Sequence, residues 1–244
     1  MMIRMTVSRF LLAYCVFLLL VGFAQSSQAQ ATIVWSQTFE DGWGSWYADN
    51  GTWEVGVPLS GPPTNVLGSR AYGGTNCAGT VLNGNPAAGV SSSLISPPFV
   101  VPPANQNPRL RFWHWYTLET GSYPENGIVQ IKVGTNAWQA LSPSYTGTSS
   151  GQWTRPYLDL TAYAGQTVRV AFLYYSDGRN NAARGWFVDD VMVETSATIV
   201  FNNPEGFELG WGDWYTDFGT WEVGVPLSGP PTNVLGSRAY GGTN

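Results

Sequence analysis

Lysine occurs once in the 244 residues, at Lys132, and histidine once, at His114. Charged residues make up only 11% of the chain, and acids outnumber bases 16 to 11. Each scarcity excludes something. A chain this poor in cations carries no basic stripe for phosphates, so a nucleic-acid partner is ruled out. One histidine rules out HExxH and every two-histidine metal site. Two cysteines, Cys15 and Cys77, are too few for a disulfide framework. Beyond residue 31 no apolar run approaches the roughly 20 residues of a membrane-spanning helix.

What is abundant is aromatic and turn-forming. Aromatics reach 14%, with 12 Trp, 29 Gly and 16 Pro. Disordered chains are rich in charge and poor in rings, so this profile belongs to a folded protein. Low charge with many Gly, Pro, Trp and Tyr fits an all-β extracellular module.

Residues 1–31 read as a secretory leader. Arg4 and Arg9 precede an apolar stretch over 10–24, and Ala29-Gln30-Ala31 matches an A-x-A cleavage site. Cleavage there removes two of the eleven cations and no acid, so the net charge goes from −5 to −7. It also removes Cys15. Cys77 then stands alone, either buried and inert or awaiting an intermolecular partner. The expected location is secreted, extracellular or at the cell surface, with no membrane span after cleavage.

The strongest feature is a repeat. Residues 39–76 and 207–244 are identical at all but four positions: Asp41/Leu209, Ser45/Asp213, Ala48/Thr216 and Asn50/Phe218. The offset is 168 residues, too long for a solenoid and right for whole domains in series. The expected organisation is a leader over 1–31, a domain over 32–197, and an incomplete second copy over 198–244, cut from a tandem array. Residues 77–195 and 207–244 together contain every part of one unit in permuted order. The second copy is therefore expected to compete with 39–76, and exchange between chains would give a domain-swapped oligomer.

Strand patterns bounded by turn residues predict strands over 33–39, 53–57, 69–72, 91–95, 109–117, 128–133, 138–141, 154–160, 167–175 and 186–194. Asn50-Gly51, Asn83-Gly84 and Asn126-Gly127 read as hairpin turns. No segment has a helical period with caps; 160–165 reads as one turn. Ten short strands argue for an all-β fold, a two-sheet antiparallel sandwich of jelly-roll type. Alternation places Val168, Val170, Phe172 and Tyr174 on one face. It places Phe187, Asp189, Val191 and Val193 together on another, so Asp189 is expected to point inward among apolar neighbours. The strand over 109–117 has rings on both faces and is expected to be central and covered on both sides.

LDLTAYAGQTVRVAFLYYSDG over 158–178, followed by GWFVDDVMV over 185–193, resembles the C-terminal half of MAM-type and cleaved-adhesin-type jelly rolls. FEDGWGSW over 39–46 resembles their N-terminal strand and its exit, and SSLISPPF over 92–99 their middle strand. The four cysteines of animal MAM domains are absent, which makes bacterial extracellular relatives the nearer comparison. The resemblance implies a non-catalytic appendage of a secreted protein, with an adhesive or interaction role. It also implies a structural calcium between neighbouring first and last strands.

Calcium wants six to eight oxygen ligands. Glu40, Asp189 and Asp190 are the candidates, with carbonyls of 73–76 as additions; Glu40 recurs in the second copy, as Glu208, whereas Asp41 does not. The competing reading is that Asp189 accepts backbone N–H groups or pairs with Arg111 or Arg184. For a polysaccharide or protein ligand, Trp43 and Trp46 in their Gly-rich segment are expected to be exposed. Trp53, Trp113, Trp115, Trp138 and Trp153 are the other candidate rings, most of them read as core. Three functions remain open: an adhesion or interaction module, a carbohydrate-binding accessory of a larger secreted enzyme, and a structural spacer. Catalysis finds little support. Gly147–Gly151 matches G-x-S-x-G by chance, without the preceding strand and following helix the motif needs. Asn50-Gly51-Thr52 is a formal glycosylation sequon in what reads as a plain turn.

Overall fold

The computed structural model describes residues 31–122, 124–177 and 183–196, together with 206–208, 214, 221, 223–229 and 239. The expected leader, apart from residue 31, and most of the second copy lie outside the described residues. Over 31–196 the chain is a sandwich of two antiparallel sheets, as the strand spacing predicts.

The first sheet is built on two long neighbours, β7 (Arg109–Leu118) and β13 (Gly185–Thr195). β10 (Gly147–Thr148) and β11 (Tyr157–Asp159) lie on the far side of β7. On the far side of β13 lie β1 (Thr32–Gln37) and β4 (Cys77–Gly79), with β3 (Glu54–Gly56) beyond β4. First and last strands are thus direct neighbours. The second sheet centres on β12 (Thr167–Ser176), flanked by β8 (Glu125–Val133) on one side and β5 (Ser91–Ile95) on the other. β6 (Phe99–Val100) continues the β5 side, and β2 (Tyr47–Ala48) and β9 (Gln139–Ala140) are the edges. A single 3-10 turn spans Thr161–Tyr163, where one turn is expected.

The inner faces follow from alternation. Val168, Val170, Phe172 and Tyr174 of β12 are buried together against Leu110, Phe112 and Tyr116 of β7. Trp186 sits among Trp53, Phe172 and Tyr145, with ring centroids 5.6–5.9 Å apart in tilted or edge contacts. Each fully buried ring of this kind contributes roughly 2–3 kcal/mol of transfer free energy.

Three expectations need correction. Residues 69–72 form no strand; they belong to a long excursion, 57–76, that folds over the outer face of the first sheet. Asn126-Gly127 is not a turn but lies inside β8. Gly127 is required there because a Cβ would stand 2.7 Å from the Trp186 ring. The third correction concerns β13. Asp189 pairs with Trp113 and Met192 with Arg111, so three residues on β13 advance against two on β7. Asp190 takes a left-handed backbone, φ 45°, inside this bulge. The side-chain alternation therefore flips. Trp186, Val188, Val191 and Val193 face the core, while Phe187 packs with Ala71, Cys77 and Trp115 in a smaller cluster under the excursion. Asp189 is fully buried beneath the excursion, not within the inter-sheet core. β7 is covered on both sides, as expected.

Candidate functional site

Three carboxylates meet the excursion at residues 72–76. Asp189 Oδ2 accepts the N–H groups of Tyr72 (3.0 Å) and Gly73 (3.1 Å), and its Oδ1 accepts that of Asp190 at 2.8 Å. Glu40 follows Phe39, itself left-handed at φ 60°. That turn aims the Glu40 carboxylate at the N–H groups of Thr75 (2.9 Å) and Asn76 (2.8 Å) and at the Thr75 hydroxyl, while Asn76 Nδ2 donates to the Glu40 carbonyl. Gly74, at φ 52°, has no room for a side chain, because a Cβ would collide with the Glu40 carboxylate. Asp190 lies over Gly73, and its carboxylate accepts no hydrogen bond among the described residues.

The electrostatics are unbalanced. Burial, and then the charge of Asp190, push the Asp189 carboxyl up to about 8, against the pull of its three N–H donors. Burial also raises Asp190, with Arg155 lowering it and Glu40 raising it further. Arg155 is shared, since its Nη2 is bonded to Glu194 Oε1, which also belongs to the buried Arg109–Glu194 pair. The sequence candidates Glu40, Asp189 and Asp190 are therefore brought to one loop. Among the described residues, no group of three or more His, Cys, Asp or Glu is disposed to hold a metal ion. The oxygens of Glu40 and Asp189 are already engaged by N–H groups. The alternative of Asp189 accepting backbone donors is what the geometry contains.

The aromatic candidates divide differently from expectation. Trp46 is 5% exposed and belongs to the core, stacked on Trp35 with centroids 5.7 Å apart and edge-on to Phe39. Trp43 is half-buried and packs against the same core. The expectation of an exposed Trp43–Trp46 pair is thus corrected: the apolar interior takes up both rings, and the Gly residues beside them make tight turns, not a platform. The exposed aromatic face lies elsewhere. Tyr72 stacks on Trp113 of β7, centroids 3.8 Å apart and planes 15° apart, and meets Trp153 edge-on at 6.0 Å. These three rings line a groove of about 350 Å³ over the outer face of the first sheet. Thr64, Asn65 and Gln152 supply polar atoms, Trp221 and Val223 of the second copy also line it, and among the described residues no charged side chain does. Trp113 and Trp153 were legible as candidates. Tyr72 was not, because only the fold carries the excursion back over Trp113.

Three described groups with acid–base or nucleophilic chemistry, His114, Ser149 and Cys77, lie in the interior. His114 is fully buried, its Nδ1 accepts the Trp186 Nε1–H at 3.2 Å, and burial lowers its pKa to about 3. Ser149 of the G-x-S-x-G match is buried, and its Oγ accepts the Tyr116 N–H at 3.2 Å. Cys77 is a buried free thiol, and burial pushes its pKa well above the ordinary value.

Comparison with known proteins adds relatives of partial extent. No family model matches the chain. The chain is 33% identical over 181 residues to Bacillopeptidase F of Bacillus subtilis, covering 72% of this chain and 12% of that protein. It is 33% identical over 113 residues to the pre-pro-metalloprotease PrtV of Vibrio cholerae, covering 43% of this chain and 12% of PrtV. The chain thus spans about an eighth of the length of these curated relatives. Among solved structures, similarity is found to TmCBM61 in complex with beta-1,4-galactotriose (TM-score 0.41, 16% identity, 64% of this chain and 92% of that one). It is also found to a xylan-binding domain from CBM 22 (0.40, 17%, 69% and 97%) and to the K2 cleaved adhesin domain of Lys-gingipain (0.41, 18%, 65% and 98%). Among the described residues no helix is long and apolar enough to cross a membrane.

Proposed function

We propose that the chain is a non-catalytic interaction module of a larger secreted protein, carried through a leader at 1–31 and repeated in tandem from 198 onward. Its task is to hold its host protein to an extracellular polymer. The observation that carries this reading is the aromatic groove, uncharged among the described residues, beside a loop pinned by the buried Asp189 and the exposed Glu40. The partial span of Bacillopeptidase F supports it, since the shared stretch is a small part of that protein. The internal hydrogen bonds of His114 and Ser149 support a role without chemistry. Pull-down of the full chain on a panel of insoluble polysaccharides, in calcium and in chelator, tests the reading. Retention through washing is expected; no retention on any polymer overturns it.

Calcium forms a second part of the proposal. Hard oxygen donors and the adjacent carboxyls of Asp189 and Asp190, both raised by burial, suit this ion. Asp190 would be its main carboxylate, with Glu40 and Asp189 supporting from the loop they fix. The ion would neutralise the charge that raises Asp189. Melting in calcium should exceed melting in chelator, and Asp190→Asn should remove the difference; equal melting temperatures for the unsubstituted chain would refute the site.

The oligomer completes it. The four positions that differ between the copies fall at exposed Asp41, Ser45 and Asn50 and at half-buried Ala48. Phe39, Trp46, Trp53 and Ala71, all buried, recur as Phe207, Trp214, Trp221 and Ala239. The second segment therefore matches the first at every fully buried position, with Thr216 replacing Ala48 at the margin of the core. The cost is local: Asn50 is left-handed at φ 47°, where Phe218 would sit at a penalty of roughly 1 kcal/mol. Light scattering of the chain with and without 198–244 tests exchange; a dimer that survives the deletion rules it out.

A further inference from the structure

The groove over the outer face of the first sheet has a lining that selects among ligands. Its floor is the Tyr72–Trp113 stack, and one wall is Trp153. Aromatic faces take up flat apolar surfaces, including the C–H faces of pyranose rings, while the edges of a sugar need hydroxyl and amide partners. Thr64 and Gln152, both exposed at the groove, are such partners. Among the described residues no cation in the lining would neutralise an anionic ligand, and the whole chain is acidic at −5. An acidic polymer is disfavoured by both facts, and a cationic one finds no carboxylate among the described lining residues.

We propose that this groove binds a neutral polysaccharide, with Tyr72, backed by Trp113, and Trp153 packing against its sugar rings. The proposal rests on the reading of the chain as an extracellular binding module, and it places the ligand away from Trp43 and Trp46. Asp189 acts as a positioning residue. It lies opposite Trp113 in the strand register, and its Oδ2 holds the Tyr72 and Gly73 N–H groups. That clamp lays the Tyr72 ring on Trp113.

Affinity electrophoresis of the full chain tests this with soluble xylan, galactan, mannan and mixed-linkage glucan, and with polygalacturonate as the acidic counterpart. At least one neutral polymer should retard the chain, and polygalacturonate should not. Tyr72→Ala and Trp153→Ala should each weaken retardation roughly tenfold or more. Tyr175→Ala removes an exposed ring on the other sheet and should change nothing. Near-ultraviolet circular dichroism on each variant separates lost binding from lost fold, and Tyr72→Phe, which keeps the ring, should retain most of the affinity. Retardation that survives both alanine variants overturns the groove and leaves the module reading standing. Retardation by polygalacturonate alone overturns the neutral ligand. No retardation by any polymer, together with failure of the insoluble pull-down, overturns both.

Discussion

Burial removes the imidazole of His114 from the range in which histidine ordinarily titrates. The ring is surrounded by Phe112, Tyr116, Tyr145 and Trp186, and only the Trp186 indole N–H reaches it with a hydrogen bond among these rings. Its folded pKa of about 3 lies below the ordinary 6.5. The sign of the coupling follows: the unfolded chain takes up this proton first as pH falls, so the stability from a neutral His114 is complete above about 6.5 and is lost toward pH 3. Because the chain has one histidine, its imidazole resonances report this site alone. They should stay in the neutral position from pH 7 to pH 4; a midpoint near 6.5 would contradict the burial. Alternation along the strand over 109–117 puts His114 on the face of Leu110, Phe112 and Tyr116, and it lies there. Sequence patterning misplaced Trp46 because exposure of a ring beside glycines depends on where the next segment passes.

At the scale of elements, the bulge in β13 separates what was legible from what was not. The strand itself was plain from its sequence, to within a residue at each end. Its two-faced use was not, because the left-handed turn at Asp190 has no marker in the residue alphabet; an aspartate there reads like any other. Strict alternation then assigned Asp189 to the wrong layer. The same limit applies to the excursion over 57–76. No ladder holds residues 72–76; the N–H groups of Tyr72, Gly73, Thr75 and Asn76 are fixed by Asp189 and Glu40. Glu40→Ala should cost only about 1–2 kcal/mol in global stability, since it unties exposed donors. Its local effect should be larger. Trypsin should cleave after Arg70 several times faster in Glu40→Ala than in the unsubstituted chain, while sites in β7 and β12 stay protected. Unchanged cleavage would mean that other contacts hold the loop.

For the molecule as a whole, the smaller cluster of Ala71, Cys77, Trp115 and Phe187 joins the excursion to the sandwich. Cys77 is sealed within it, and burial keeps its thiol protonated. A thiol reagent should label Cys77 only on the timescale of unfolding, and the labelling rate should follow the loss of circular dichroism in urea. Fast labelling of folded protein would show the excursion opening independently of the sheets. The two-sheet architecture needed only strand count and alternation, which local residue patterns encode. The groove needed the long-range return of 57–76 onto β7, a tertiary event that alternation within strands does not encode.

The clamp on the excursion has one more consequence. Asp189 and Glu40 grip main-chain N–H groups and the Thr75 hydroxyl, so at Tyr72 and Gly73 they are indifferent to which side chains the loop displays. The ring at position 72 and the exposed side chain at 64 can be rewritten while the handle that seats them, which includes the side chain of Asn65, stays the same. A scaffold of this design can change what it recognises by editing a few letters in one loop, with the sandwich beneath it untouched.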